Sequence, residues 1–208
     1  MKRFAILLMC AMLLLTTSAL AERVYPLENA ETCTSVTGLI TYERPADSVP
    51  MTEEFVESIM DGDFLKSALG DDENAEQIID SMVSTVASVD LSQMDFVYTA
   101  DFEGNFNIIG SKGIGITPDM LSLVQSVFDE QLVATYVRMG VSEDSCSTQG
   151  IQTICSNPNQ FYVFYVEVFG ASVHQYISYN EAGDQITLSF TNFPQDQEFA
   201  IVESVQFN

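Results

Sequence analysis

The chain has 208 residues, of which 30 are acidic and seven are Lys or Arg, giving a formal net charge of −23. So negative a surface repels phosphate backbones and anionic bilayers, which argues against nucleic acid and anionic membrane as partners; a positive-faced partner or Ca²⁺ is compatible with it. With one histidine and no tryptophan, the chain cannot build a zinc motif that needs two imidazoles, and it has no indole for sugar stacking.

The first 21 residues read as a secretory signal peptide. Lys2 and Arg3 make a positive start, residues 4–15 are apolar, and Ala19-Leu20-Ala21 fits a small-x-small cleavage site. Cys10 suggests a lipidation site, but Met9 is a poor fit to the small residue expected before it, and the apolar stretch runs on past it. No other apolar run approaches the ~20 residues a membrane span needs. Cleavage after Ala21 leaves residues 22–208, with five basic residues against 30 acidic ones and a net charge of −25. That length suits one extracytoplasmic domain with a real core.

Residues 33–42 carry Val36, Leu39, Ile40 and Tyr42 among threonines and read as one strand bulged at Gly38. Thr52 is placed to cap a helix whose first turn holds Glu53 and Glu54, where the helix dipole favours anions. A second short helix over 63–69 and an amphipathic one over 74–89 follow, the latter on the spacing of Ala75, Ile78, Ile79, Met82, Val83 and Val86. Residues 96–100 and 106–109 read as a hairpin around Glu103-Gly104-Asn105. Thr117-Pro118-Asp119 opens the clearest helix, with Leu121, Val124, Phe128, Leu132, Tyr136 and Met139 on one face and Gly140 at its end.

Residues 161–169, Phe-Tyr-Val-Phe-Tyr-Val-Glu-Val-Phe, are apolar on both parities apart from Glu167. That composition predicts a central strand covered on both faces. Strands over 173–179 and 185–190 follow as its antiparallel neighbours, then a helix over 195–203 and a last extended segment at 205–207. This order predicts an α/β (α+β) chain: a three-layer α/β/α sandwich around a mostly antiparallel central sheet.

Secretion permits disulfides, and three cysteines follow the leader. Cys146 and Cys155 flank Ser147-Thr148-Gln149-Gly150 and are expected to pair, leaving Cys33 over, although it could replace one partner in that pair. Hard oxygen ligands for Ca²⁺ are offered by Asp61, Asp63, Asp71 and Asp72 with Glu73, and a looser set by Asp101, Glu103, Asn105 and Asn107. Helix starts and a hairpin turn account for both sets equally well. A Ser-His-Asp or Cys-His site would have His174 as its only base, and His174 reads as a packed or surface strand residue. Gly110-Ser111-Lys112-Gly113-Ile114-Gly115 lacks the spacing of a phosphate loop. The composition therefore implies no cofactor and marks no catalytic group.

Three places carry a family resemblance: Thr37-Gly38-Leu39-Ile40-Thr41-Tyr42 before a helical insert, the helix over 119–139 leading into strands, and the ending Gln175-Tyr176-Ile177, Ile186-Thr187-Leu188-Ser189-Phe190 and Glu203-Ser204-Val205-Gln206-Phe207. In these the chain resembles the PsbP-like fold, over nearly all of residues 22–208. The resemblance implies a secreted, non-catalytic binding or accessory domain of a bacterial cell envelope, its partner an envelope protein or component, with no site residue carried over. The thirty acids keep open a second expectation, a secreted carboxylate-dependent hydrolase of glycosidase type.

Overall fold

A computed structural model describes Leu27, residues 29–60 and residues 91–208. The expected signal peptide, the helices over 63–69 and 74–89, and Asp61, Asp63, Asp71 and Asp72 lie outside the described residues. Within them the fold is mixed α+β, with ten strands, three α-helices and mostly antiparallel sheets.

Strands β1 (Ala30–Thr34) and β2 (Ile40–Pro45) pair antiparallel, so the segment expected as one bulged strand is two. The chain reverses at Gly38, whose φ of +70° is open to glycine at little cost. The Ser35 N–H bonds the Ile40 carbonyl at 2.9 Å and closes the turn. After β3 (Val49–Pro50) comes helix α1 (Glu53–Met60), capped as expected, with the Phe55 N–H donating to Thr52 Oγ1 at 3.1 Å. Strands β4 (Met94–Tyr98) and β5 (Asn105–Ser111) form the expected hairpin.

Helix α2 (Pro118–Arg138) begins with proline in its first turn after Thr117, whose backbone is extended but whose hydroxyl makes no cap bond. Strand β6 (Cys146–Thr153) then pairs with β7 (Gln160–Val168), β7 with β8 (Ala171–Tyr179) and β8 with β9 (Gln185–Thr191). Helix α3 (Gln195–Ser204) and β10 (Gln206–Phe207) end the chain. The large sheet runs β3-β4-β5-β9-β8-β7-β6, and a smaller one runs β1-β2-β10.

The meander over β7, β8 and β9 is as the apolar runs predict, but β7 is not the middle of the sheet. It lies one strand in from the margin, because the polar stretch expected as a disulfide loop is the edge strand β6. Polar side chains and a register shift between Thr148 and Gly150 are what a solvent-facing edge tolerates. Both parities of β7 are nevertheless buried. Phe161 and Val163 join a core with Ile40, Tyr42, Ile201 and Val202. Tyr162, Phe164 and Val166 join a separate one with Leu121 of α2. Burying five such side chains, at roughly 1.5–3 kcal/mol each, is what commits this run to a strand between two covers.

The turn at Asn157-Pro158-Asn159 does more than reverse the chain. The buried Asn157 amide donates to the carbonyls of Val202, Glu203 and Val205 at 2.8, 3.2 and 3.0 Å. They lie at the end of α3, where Val202 also accepts the Val205 N–H and Val205 the Asn159 amide, and a distant loop supplies the added donor. Gly140, expected as a stop, follows directly on the end of α2.

The Cys146–Cys155 bridge is absent; Cys33, Cys146 and Cys155 are all free thiols. Strand β6 begins at Cys146 and runs eight residues, to Thr153, before Cys155 is reached. At ~3.3 Å per residue an extended strand of that length holds its ends well beyond the ~7 Å a disulfide spans. Cys146 packs against the core under α2 and Cys155 against the core under α3. Burial raises the pKa of both thiols, with Glu143 adding to the effect at Cys146 and Glu203 at Cys155.

Candidate functional site

Strand alternation puts Ser172, His174 and Tyr176 of β8 on one face, toward α3. Tyr165 comes from the paired position opposite His174 on β7, and the first turn of α3 brings Glu198. The His174 Nδ1 lies 3.0 and 2.9 Å from the two Glu198 carboxylate oxygens. Tyr176 Oη donates to the same carboxylate, Tyr165 Oη lies 3.3 Å from Tyr176 Oη, and Ser172 Oγ lies 3.2 Å from His174 Nε2.

An ionised carboxylate only accepts, so Glu198 sets the direction of the whole line. His174 must donate through Nδ1–H and Tyr176 through its hydroxyl. In the neutral ring Nε2 is then bare and accepts the Ser172 proton, while Tyr165 donates to Tyr176. Glu198 is 1% exposed, so this buried charge rests on its two donors. Burial raises the Tyr176 pKa, and the adjacent Glu198 charge raises it further. Burial raises the Tyr165 pKa too, and the Glu198 charge adds to the effect. The Tyr165 and His174 rings lie with centroids 4.0 Å apart, tilted by 31°.

The open end of this line is held by Asn192, whose Oδ1 accepts the Ser172 N–H at 3.0 Å while its own N–H donates to the Ser172 carbonyl at 2.9 Å. Asn192 has a φ of +48°. Gly104 lies against it so closely that a Cβ there would sit 2.6 Å from the Asn192 carbonyl oxygen.

His174 is thus packed, as expected of a strand histidine, but it is also hydrogen-bonded on both nitrogens. Ser172, Tyr176 and Glu198 were not legible as its partners. The period-two spacing Ser172-x-His174-x-Tyr176 signals one shared face, whereas Glu198 arrives only by packing.

Asp101, from the looser Ca²⁺ set, is engaged within the β4–β5 turn. Its Oδ1 accepts the Thr99 hydroxyl at 2.6 Å and the Glu103 N–H at 3.1 Å, which hold its pKa below the usual carboxylate range. Beside it is a cleft of about 190 Å³ lined by Asp47, Asp101, Thr99, Phe193 and Gln197. Among the described residues no group of three or more His, Cys, Asp or Glu is placed to hold a metal. Gly113 of the glycine-rich stretch donates its N–H to Asp184 at 2.9 Å and serves as a loop tie.

The other surface of note is the outward side of α2. Met120, Leu123, Val127 and Val137 are exposed, Leu123 at 77%. With Ala134 they follow each other at helical three- and four-residue steps, interrupted only by Glu130. A groove beside this ridge is lined by Glu130, Val133, Ala134, Val137, Glu143 and Thr148. No described helix is long and apolar enough to cross a membrane.

No family model matches the chain, and no curated protein matches it. Among solved structures it is similar to a protein from Bacteroides thetaiotaomicron VPI-5482, at 12% identity and a TM-score of 0.44. The match covers 87% of this chain and 49% of that one, so the chain spans about half the length of that neighbour.

Proposed function

We propose that the chain is a secreted binding or accessory domain of a bacterial cell envelope, exported by cleavage after Ala21 and built on a PsbP-like plan. On this reading the architecture is three-layered, with α2 on one face of the large sheet and α3 with the small sheet on the other. The two separate apolar cores that meet on β7 support it.

The observation that carries the binding role is the ridge on α2. A 21-residue helix on a protein surface ordinarily turns polar groups outward, and this one turns out Met120, Leu123, Val127 and Val137. Exposed acids flank the ridge at Asp119, Glu130, Glu143 and Asp144. An apolar strip between carboxylates on a chain of charge −23 suits a basic amphipathic segment of an envelope protein. A photo-crosslinking side chain placed at position 123 in cells tests this. An adduct to a Lys/Arg-rich segment of another envelope protein, weakened by salt, is expected. No adduct, or an adduct only to a second copy, overturns it. N-terminal sequencing of the exported form, expected to begin at Glu22, tests the leader separately.

A second reading, the carboxylate-dependent hydrolase, has the Asp47–Asp101 cleft behind it. With its pKa lowered, Asp101 suits the base or nucleophile of such a pair. Release of a chromogenic aryl glycoside that is lost in Asp101→Asn would favour it over the first.

A further inference from the structure

The Ser172–His174–Glu198 line has no part in the binding surface on α2, and its order is that of a nucleophile, a base and an orienting acid. We infer that Ser172 is an activated nucleophile, with His174 as its general base and Glu198 as the positioning residue, and that this site cleaves small carboxylic esters with an apolar group.

Three independent features converge on it. The first is geometric: the Ser172 hydroxyl and His174 Nε2 are 3.2 Å apart, and His174 Nδ1 is 2.9 Å from Glu198, both within the reach that proton transfer requires. The carboxylate fixes the tautomer that leaves Nε2 free to take a proton. It also faces the positive charge that develops on the ring, and the Tyr165 ring lies close beside it, tilted by 31°. The second is access. The line runs from the buried Glu198 outward, through a His174 side chain that is 21% exposed, to Ser172 beside the β7–β8 turn. There Phe169 stands 82% exposed and offers an apolar surface to an acyl or alcohol group. The third is Asn192. It holds the Ser172 backbone by two hydrogen bonds, its Oδ1 accepting the Ser172 N–H and its backbone N–H donating to the Ser172 carbonyl, which fixes the nucleophile's position. Its left-handed backbone is kept in place by the close approach of Gly104, and backbone of this kind clusters at functional sites.

In the reaction Ser172 Oγ attacks the ester carbonyl carbon, and its proton passes to His174 Nε2. The C–O bond of the ester breaks, and the alcohol leaves with that proton. Water then attacks the acyl-serine and gives a proton to Nε2. The acid departs as the serine oxygen takes that proton back.

The test uses the purified protein with 4-nitrophenyl acetate, 4-nitrophenyl butyrate and a fluorophosphonate probe. Mass spectrometry is expected to find the probe on Ser172. Ser172→Ala should abolish both labelling and hydrolysis, and His174→Gln should lower the labelling rate about 100-fold or more. Glu198→Gln should slow labelling while the folded baseline in circular dichroism persists, a separation that a purely structural role would not produce. Should Ser172→Ala fold poorly, the labelling site on the unmodified protein decides alone. A native protein left unlabelled at Ser172, or a Ser172→Ala variant that hydrolyses the esters at the native rate, overturns the inference.

Discussion

Helices α2 and α3 are used in opposite ways. Helix α3 is absorbed into the protein: Glu198, Ala200, Ile201, Val202, Glu203 and Ser204 are all buried, its end is capped by a side chain 45 residues away, and its first turn carries the polar line to His174. Helix α2 is twice as long, yet Leu121 is its only buried residue, and its outer side stays apolar. The short helix is held by the apolar core around Ile201 and Val202 and by polar contacts from distant residues. The long one is held by rings, Phe128 on Tyr162 and Tyr136 on Phe164, and by the Tyr162 hydroxyl donating to Asp129 at 2.6 Å. A short helix gains little from its own cooperativity and depends on its surroundings for order, whereas a helix of 21 residues needs less help.

That contrast can be broken or sharpened by substitution. The largest effects should come from the two faces of β7. Phe161→Ala and Phe164→Ala should each cost about 3–5 kcal/mol in urea unfolding. Phe161→Ala should be the more costly, because the α3 side is closed around it while α2 can settle into the space. Equal losses would mean that the two covers are equally rigid. Next is Asn157→Ala, which removes three hydrogen bonds to the carbonyls at the end of α3 and should cost about 1–3 kcal/mol. A loss below about 1 kcal/mol would show that the cap is redundant. Tyr162→Phe removes the single hydroxyl tie to α2 and should cost about 1 kcal/mol by the same measurement.

Asp95 gives a smaller, pH-dependent effect. Burial raises its pKa, outweighing the hydrogen bond from the Val36 N–H. Folding therefore favours the neutral acid. The stability this contributes is fully present below the usual carboxylate range near ~4 and is lost as pH rises through the raised folded value. Melting temperatures of Asp95→Asn should fall less between pH 4 and pH 7 than those of the native protein; parallel curves would contradict the assignment. Smallest of all, Val127→Lys on the outer side of α2 should leave stability within about 0.5 kcal/mol while abolishing the crosslink from position 123. A large loss would mean that this ridge is covered within the molecule.

Much of the architecture could be read from local pattern. Helix α2 announced itself through Thr117-Pro118-Asp119 and a periodic apolar face, helix α1 through Thr52 and its acids, and the meander through three apolar runs set apart by turn residues. These signals are short-range, because propensity, capping and periodicity act within one or two turns of chain. The failures have one cause as well. Residues 33–42 are extended on either side of Gly38, and nothing local separates a bulge from a reversal. The polar stretch after Cys146 looked like a loop because a strand at a sheet edge may be polar, and that error carried the expected disulfide with it.

Residue types, spacing and charge by themselves determined the helix starts, the strand runs, the acidic surface and the lack of a two-histidine metal motif. Only the tertiary structure decided which polar groups meet. Glu198 reaches His174 across 24 residues and Asn157 reaches Val202 across 45, on hydrogen bonds that hold only within about 3 Å. Contacts so short, between groups so far apart in the chain, are fixed by packing, and a linear pattern carries no record of them.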